Sequence, residues 1–189
     1  MSVLEILGVF FGLIYLALIT YHARIGWIFG SLSSGIYSVI CWNQELYIQT
    51  FLQFTYVLLG LIGFIQWNSN NNIHLLIKRA TRKQHVIYIF IGLILSFCLG
   101  KWFSMTSQQY PYLDSLISMI SLLATILATK SILENWIYWV FGNSLAIVLF
   151  ASLDLYATSF LYFIYLCGSI FGYYNWKKLF KKQSNPIKA

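Results

Sequence analysis

The chain has 189 residues, of which 59% are hydrophobic and only 9% are charged, and its mean hydropathy is +0.72. A soluble domain of this length has too little interior to bury so much apolar surface, so the composition excludes a water-soluble globule and predicts a protein solvated by lipid. The formal net charge of +7 lies mostly between apolar runs. We interpret it as a topology signal and not as a nucleic-acid surface.

Seven apolar runs of membrane-spanning length follow one another, at residues 3–20, 25–43, 46–67, 85–104, 112–129, 133–151 and 155–176. Runs of about 20 apolar residues cross a bilayer as helices, and these runs lack the polar alternation of barrel strands. The first run carries Glu5 and no preceding basic residue, so we expect a retained helix and not a signal peptide. The predicted fold class is an all-α integral membrane protein with seven transmembrane helices.

The reactive side chains do not assemble into a recognisable chemical site. The three cysteines, Cys41, Cys98 and Cys167, fall in three different spans without metal-ligand spacing. No acid or histidine lies deep in a span, and no phosphate-binding glycine loop is present. We therefore expect no metal, no cofactor, no catalytic residue and no enzymatic activity. A membrane protein without parts for ATP hydrolysis or a proton relay is expected to transport its substrate downhill.

The distribution of basic residues distinguishes the two possible orientations of the chain in the membrane, with the N-terminus outside or inside. If the N-terminus lies outside, eleven of the twelve basic residues fall on the cytoplasmic side. Glu134 is then the one acidic residue on the inner side. Ser131 and Glu134 have the spacing of a capping box, which predicts that Glu134 supports the start of the sixth span. Lys101 is the exception, and it lies close enough to a span end to reach the interface.

An internal duplication organises the chain. Shifting the sequence by 109 residues pairs Trp27 with Trp136, Gly63 with Gly172 and Trp67 with Trp176, and polar positions agree as well. Three spans, a linker span and three more spans place the two repeats in the same orientation, as in SWEET-type transporters. The predicted segments are a first repeat (1–67), a cytoplasmic loop (68–84), a linker helix (85–104), a second repeat (105–176) and a basic cytoplasmic tail (177–189).

Polar and aromatic residues share single faces of three spans. The third span carries Gln49, Gln53 and Tyr56, the sixth carries Trp136, Trp139 and Asn143, and the seventh carries Thr158, Tyr162 and Tyr165, each set at helical spacing. Aromatic faces attract flat rings, above all cationic ones, and amides pair with carboxamides or sugar hydroxyls. Since no arginine lies at this depth, a phosphate would have no partner. These aromatic and amide residues, without an arginine beside them, predict that the ligand is a flat, unphosphorylated metabolite.

Other residues of these types have simpler interpretations. Aromatic residues at span ends form interfacial belts, and small or amide residues hold helices together. We assign the belt role to Trp42, Tyr47, Trp67, Tyr156 and Trp176. We assign close helix packing to Gly60, Gly63, Gly168 and Gly172.

Along nearly its whole length the chain resembles the PnuC-type vitamin transporters of bacteria. The resemblance rests on Gln53-x-x-Tyr56 and Gly63-x-x-x-Trp67 in the first half, and on Trp136-x-x-Trp139-x-x-x-Asn143, Leu161-Tyr162-x-x-Tyr165 and Gly172-Tyr173-x-x-Trp176 in the second. It implies a SWEET-like fold, a homotrimer in the bacterial inner membrane, and facilitated uptake of nicotinamide riboside, which an intracellular kinase traps. By this match Trp136, Trp139 and Asn143, and also Gln53 and Tyr56, contact the substrate.

Two alternatives stay open at this stage. Thiamine is also a flat cation, so the same residues could serve a thiamine transporter or a carrier of another flat vitamin precursor. A non-transporting membrane scaffold is the alternative from a different class. The first repeat has Gly30 and Ser34 where the second has Trp139 and Asn143, so we expect one asymmetric site in each protomer.

Overall fold

A computed structural model describes residues 3–43, 47–67, 76–106 and 108–184. Within these residues the chain forms seven α-helices, and each predicted apolar run overlaps one of them. They are α1 (Val3–Thr20), α2 (Gly26–Asn43), α3 (Tyr47–Gln66), α4 (Arg82–Phe103), α5 (Pro111–Thr129), α6 (Asn135–Ser152) and α7 (Tyr156–Ser184). The predicted all-α class is confirmed.

Five of the described helices, α1, α3, α4, α5 and α6, are long and apolar enough to cross a membrane. The other two are long enough but less apolar, because α2 is rich in glycine and serine and α7 carries many tyrosines and ends in lysines. Polar helices of this kind are stable in lipid when their polar stripe faces other helices.

Two helix boundaries differ from the predicted ones by three residues or more. Helix α4 begins at Arg82, three residues before the predicted start, because Thr81 and Gln84 form a reciprocal capping box. Helix α7 continues to Ser184, so the start of the basic tail is helical. The predicted loop 68–84 is described only from Leu76 onward. Glu45 and Leu46, which belong to the repeat match, lie outside the described residues.

The chain divides into two compact units. The first comprises Met1–Ile77, Ala128–Ser131 and Asn175–Ala189, and the second comprises Lys78–Leu127 and Ile132–Tyr174, in each case as far as the residues are described. In the first unit a Cβ placed on Gly63 would lie 2.5 Å from the Trp27 ring. In the second a Cβ on Gly172 would lie 2.6 Å from the Trp136 ring. The duplicated Trp–Gly pair is therefore the same helix contact in both units, and the packing role of these two glycines is confirmed.

Helices α3 and α7 expose the same stripe of apolar side chains. The large exposed residues of α3 are Phe51, Phe54, Leu58, Leu61, Ile62 and Ile65. The residues 109 positions later on α7 are also exposed, and they are Phe160, Phe163, Cys167, Ile170, Phe171 and Tyr174. An apolar stripe of this size suits lipid and not water. The opposite face of each helix carries the polar residues.

The turns that follow α1 and α5 have the same backbone. His22 and Ser131, which are 109 residues apart, have left-handed φ values of 58° and 54°. The His22 amide donates to the carbonyl of Ile19, and the Ser131 amide donates to that of Ala128, both at 2.9 Å. The two side chains are also hydrogen-bonded to each other, His22 Nε2 to Ser131 Oγ at 3.0 Å. The duplication thus extends to the turns.

His22 lies in a cluster with two buried indoles. Its ring stacks on Trp67 at 4.2 Å and meets the edge of Trp176 at 4.9 Å. Trp67 Nε1 donates to the carbonyl of Thr129, and Trp176 Nε1 donates to that of Ile19. These bonds join the two indoles to the ends of α5 and α1, and the Ile19 carbonyl also accepts from the His22 amide. The predicted belt role is therefore wrong for Trp67 and Trp176, whereas Trp42 and Tyr156 are exposed and the Tyr47 side chain lies outside the described residues.

The predicted capping box at the start of α6 is also wrong. Glu134 precedes α6 but makes no capping hydrogen bond, and the Ser131 hydroxyl is bound to His22 instead. The Glu134 carboxylate is buried, and it accepts from Arg79 Nε at 2.8 Å and from the Ala80 amide at 3.0 Å. Spacing identified a structural role for Glu134, but its partners lie about 55 residues away and not in the adjacent helical turn.

We expect the stability of the protein to fall below neutral pH because of His22. Burial lowers the pKa of His22 to about 4, so between pH 6.5 and pH 4 the unfolded chain binds a proton that the folded chain does not. Stability is complete above pH 6.5 and is lost as the pH falls toward 4, by about 2 kcal/mol at pH 5. Thermal unfolding in detergent at pH 7.5 and pH 5 measures the loss, and His22→Gln should remove most of it. An equal loss in that variant would contradict the assignment to His22.

Candidate functional site

Helix α6 presents two faces of different chemistry. Trp136 and Asn143 are 1% and 2% exposed, and Trp139 between them is half-buried. On the opposite face Ile137, Phe141 and Val148 are exposed, and the hydroxyl of Ser144 on that face donates to the carbonyl of Val140 in its own helix. The predicted W-x-x-W-x-x-x-N residues therefore face the protein and not the lipid.

Asn143 is held in place by α7. Its Nδ2 donates to Ser169 Oγ at 3.1 Å, and that hydroxyl in turn donates to the carbonyl of Tyr165 at 2.7 Å. A carboxamide has two N–H donors and one carbonyl acceptor. The bond to Ser169 uses one of these N–H donors and fixes the orientation of the amide, including that of its carbonyl acceptor.

The tyrosines of α7 form an ordered aromatic surface. Tyr162 stacks on Phe150 at 5.1 Å with an interplanar angle of 12°, and it meets Tyr165 edge to face at 5.8 Å. Tyr162 also packs against the buried cluster of Ile117, Ala146 and Leu149. Rings held in this way lose little freedom when a flat ligand stacks on them.

Trp136 has a packing role that spacing did not indicate. Its ring covers Gly172 as closely as Trp27 covers Gly63, with only 1% of its surface exposed in both cases. It therefore fixes the distance between α6 and α7. Of the two tryptophans in the motif, the half-buried Trp139 has the surface that a ligand could contact.

Gln49, Gln53 and Tyr56 lie on one half-buried face of α3, opposite its exposed apolar stripe. They belong to the first unit, whereas the predicted residues of α6 and α7 belong to the second. By the repeat, Gln53 and Tyr56 correspond to Tyr162 and Tyr165. The first unit thus offers an amide where the second offers a phenol, so the two faces differ in the groups they can present.

The sequence interpretation missed Ser169, which holds Asn143. A signal for it existed, because Ser169 follows Tyr165 by one helical turn and precedes Gly172 by three residues on the same face of α7. Its equivalent in the first repeat is Gly60. The hydroxyl is therefore specific to the half that carries Asn143.

These faces carry no formal charge. The sequences of α3 and α6, and of α7 before Lys177, contain no Asp, Glu, Lys or Arg. Among the described residues, no three His, Cys, Asp or Glu side chains group as metal ligands. The faces can stack on a ring and form hydrogen bonds, but they cannot neutralise a phosphate.

Comparison with known proteins identifies the family. Residues 2–178 match the family described as the nicotinamide mononucleotide transporter. The chain belongs to this family. Its members are transporters and not enzymes, which agrees with the sequence interpretation. The PnuC resemblance is confirmed.

Several relatives carry the name nicotinamide riboside transporter PnuC. The protein from Neisseria mucosa is 26% identical over 84% of this chain and 65% of its own length. The Escherichia coli protein is 27% identical over 87% of this chain and 80% of its own length. The Haemophilus influenzae protein is 26% identical over 90% of this chain and 77% of its own length. The chain thus spans just under two thirds of the Neisseria relative.

A solved structure has the same fold. The crystal structure of the vitamin B3 transporter PnuC superposes with a TM-score of 0.76 at 23% identity, covering 95% of this chain and 82% of the other. The similarity extends over all seven helices of the described residues, because it covers nearly the whole chain.

Proposed function

We propose that this protein carries nicotinamide riboside into a bacterial cell by facilitated diffusion across the inner membrane, and that a kinase inside the cell traps the riboside by phosphorylation. The observation that carries the proposal is the pairing of an oriented amide, Asn143, with ring surfaces on faces that lack charge. A pyridinium riboside offers a flat cation, a carboxamide and ribose hydroxyls, each of which has a partner of this kind.

The uncharged faces favour the riboside over its mononucleotide. The family description names the mononucleotide, whereas the relatives are named for the riboside. A phosphate dianion in a site without Arg or Lys would lose its hydration without gaining a partner. The riboside avoids this cost, so it is the substrate that the chemistry supports.

The residues proposed to contact the riboside are those of the three polar faces. We expect Trp139 and the tyrosines to stack on or enclose the pyridinium, and the amides to bind the carboxamide or the ribose. Trp136 would act through its packing on Gly172. The full proposed set is Gln49, Gln53, Tyr56, Trp136, Trp139, Asn143, Tyr162 and Tyr165, to which Ser169 is added as a positioning residue.

This proposal also includes the architecture and the membrane orientation. We propose two parallel repeats of three spans joined by a linker span, an external N-terminus, a cytoplasmic C-terminus and a homotrimer. Their support is the 109-residue duplication, the distribution of eleven basic residues and the family resemblance. Alternating access would then follow from movement of one repeat against the other.

Thiamine remains the second candidate. It is supported by the same aromatic and amide residues, because thiamine is also a flat cation without phosphate. The structure has no carboxylate on these faces that would favour a particular cation, so only binding measurements separate the two vitamins.

We expect calorimetric titration of the purified protein to show binding of nicotinamide riboside and at least tenfold weaker binding of the mononucleotide and of thiamine. Uptake into proteoliposomes without ATP or an ion gradient tests the facilitated mechanism, and it should cease when the inner and outer concentrations are equal. Tighter binding of thiamine than of the riboside would identify thiamine as the substrate. Accumulation of the riboside inside the vesicles above its outside concentration would exclude facilitated diffusion.

A further inference from the structure

The second unit contains an apolar groove that the proposed function does not use. It has a volume of about 440 Å³ and lies among α4, α5 and α6. Its walls include Ile89 and Leu93 of α4, Met119 and Ile120 of α5, and Phe141 of α6. The exposure of Ile89, Leu93 and Phe141 shows that the groove opens onto the outer surface of the helices. Its volume is within the range of about 300–1,000 Å³ that small ligands occupy.

One end of the groove is polar and the rest is not. His85 Nδ1 and the Tyr138 hydroxyl are hydrogen-bonded at 2.8 Å, and Glu134 and Tyr88 lie beside them. His85 and Tyr138 are each three residues from the start of their helices, so this end lies at the membrane surface. From His85 to Leu93 the groove follows α4 for about 12 Å, at a rise of 1.5 Å per residue.

Basic residues adjoin the polar end: the Lys78 carbonyl accepts from the Leu133 amide next to Glu134, and Arg82 lies one helical turn before His85 on the same face of α4. Lys78, Arg79, Arg82 and Lys83 are all exposed, and together they form the basic segment that leads into α4. Arg79 pairs with the buried Glu134, so that carboxylate is already compensated. Lys78 and Arg82 remain to attract an anion, since no other acid lines the groove.

We propose that this groove binds one anionic phospholipid, with an acyl chain along α4 and the headgroup phosphate at Lys78 and Arg82. An apolar channel with cations at one end matches the two parts of such a lipid, and basic pockets between membrane helices recognise anionic headgroups. The riboside does not fit the channel, because its carboxamide and hydroxyls would have no partners there. The groove is thus a lipid site separate from the polar faces of α3, α6 and α7.

The first test compares two lipids that have the same acyl chains but headgroups of different net charge. The purified protein in a neutral detergent is heated in the presence of dioleoyl phosphatidylglycerol or dioleoyl phosphatidylcholine, and bound lipid is counted by native mass spectrometry. We expect one tightly retained phosphatidylglycerol and a higher unfolding temperature with that lipid alone. Equal stabilisation by the two lipids would overturn the proposal.

Two variants test the two ends of the site. Lys78→Gln with Arg82→Gln should weaken retention of phosphatidylglycerol by about tenfold or more, whereas Lys181→Gln with Lys182→Gln, at the end of α7, should not. Gly92→Leu should block the acyl channel, because Gly92 lines the groove and has nothing within 4 Å of an added Cβ. Gly35→Leu, on α2, has the same open surroundings and serves as its control.

A second copy of the chain could cover the groove instead. In that case Gly92→Leu would lower the molar mass of the particle in light scattering and leave the lipid preference unchanged, and the proposal would be wrong. Riboside titration and helix content of each variant show that it is folded, so a loss of lipid retention can be assigned to the groove.

Discussion

Asn143→Ala is expected to weaken nicotinamide riboside binding by about ten- to hundredfold. The amide is fixed by Ser169, and its carbonyl oxygen is the acceptor that we expect the ligand to use. Its removal would leave a buried donor of the ligand unsatisfied, which costs about 1–3 kcal/mol, and 1.4 kcal/mol corresponds to a factor of ten in affinity. Calorimetry of the purified variant measures the loss directly.

Ser144→Ala is the matched control for this experiment. Ser144 is the next residue of α6, it is exposed, and its hydroxyl donates to the carbonyl of Val140 in its own helix. It should bind the riboside as the natural protein does. Ser169→Ala should show a smaller loss than Asn143→Ala, because it would release the amide without removing it. Unchanged affinity in Asn143→Ala would exclude Asn143 from the site.

Gly172→Ala is expected to lower the free energy of unfolding by about 1–3 kcal/mol, the usual cost of overpacking. The new Cβ would lie 2.6 Å from the Trp136 ring, a buried side chain that cannot withdraw into solvent. Gly63→Ala should behave alike, because its Cβ would lie 2.5 Å from Trp27. The thermal midpoint in detergent measures both effects.

Gly92→Ala and Gly35→Ala provide the opposite result. Both glycines lie inside helices, and a Cβ on either would meet nothing within 4 Å. Alanine in a helix interior is more favourable than glycine by about 1 kcal/mol, so these variants should unfold at the same or a higher temperature. Trp136→Phe should partly rescue Gly172→Ala by vacating space. Equal midpoints for Gly172→Ala and Gly92→Ala would show that the Trp–Gly contact is not tight.

The helices could be predicted from the sequence because membrane spans are encoded locally. Six of the seven predicted runs start within two residues of the observed helix, and α4 was the exception because its capping box lies in the polar segment before the apolar run. The tight glycine contacts were also predictable, since Gly63 and Gly172 recur with Trp27 and Trp136 at one fixed offset.

The partners of individual polar residues were not predictable in the same way. Trp67 and Trp176 are adjacent to span ends, where aromatic belts are common, yet both are buried against His22. Glu134 has capping-box spacing but binds Arg79. In each case a long-range contact decides the role, and spacing along one helix contains no information on such a contact.

The two buried indoles also bear on how such a chain could have arisen. Trp67, from the first repeat, donates to the end of α5, and Trp176, from the second repeat, donates to the end of α1. A protein of only three helices could form this reciprocal pair only between two identical copies, each supplying its indole to the other, as a twofold dimer does. The His22–Ser131 contact would then have begun as one residue meeting itself across the dimer axis. Fusion of the two genes would have allowed that position, and the faces beside it, to diverge.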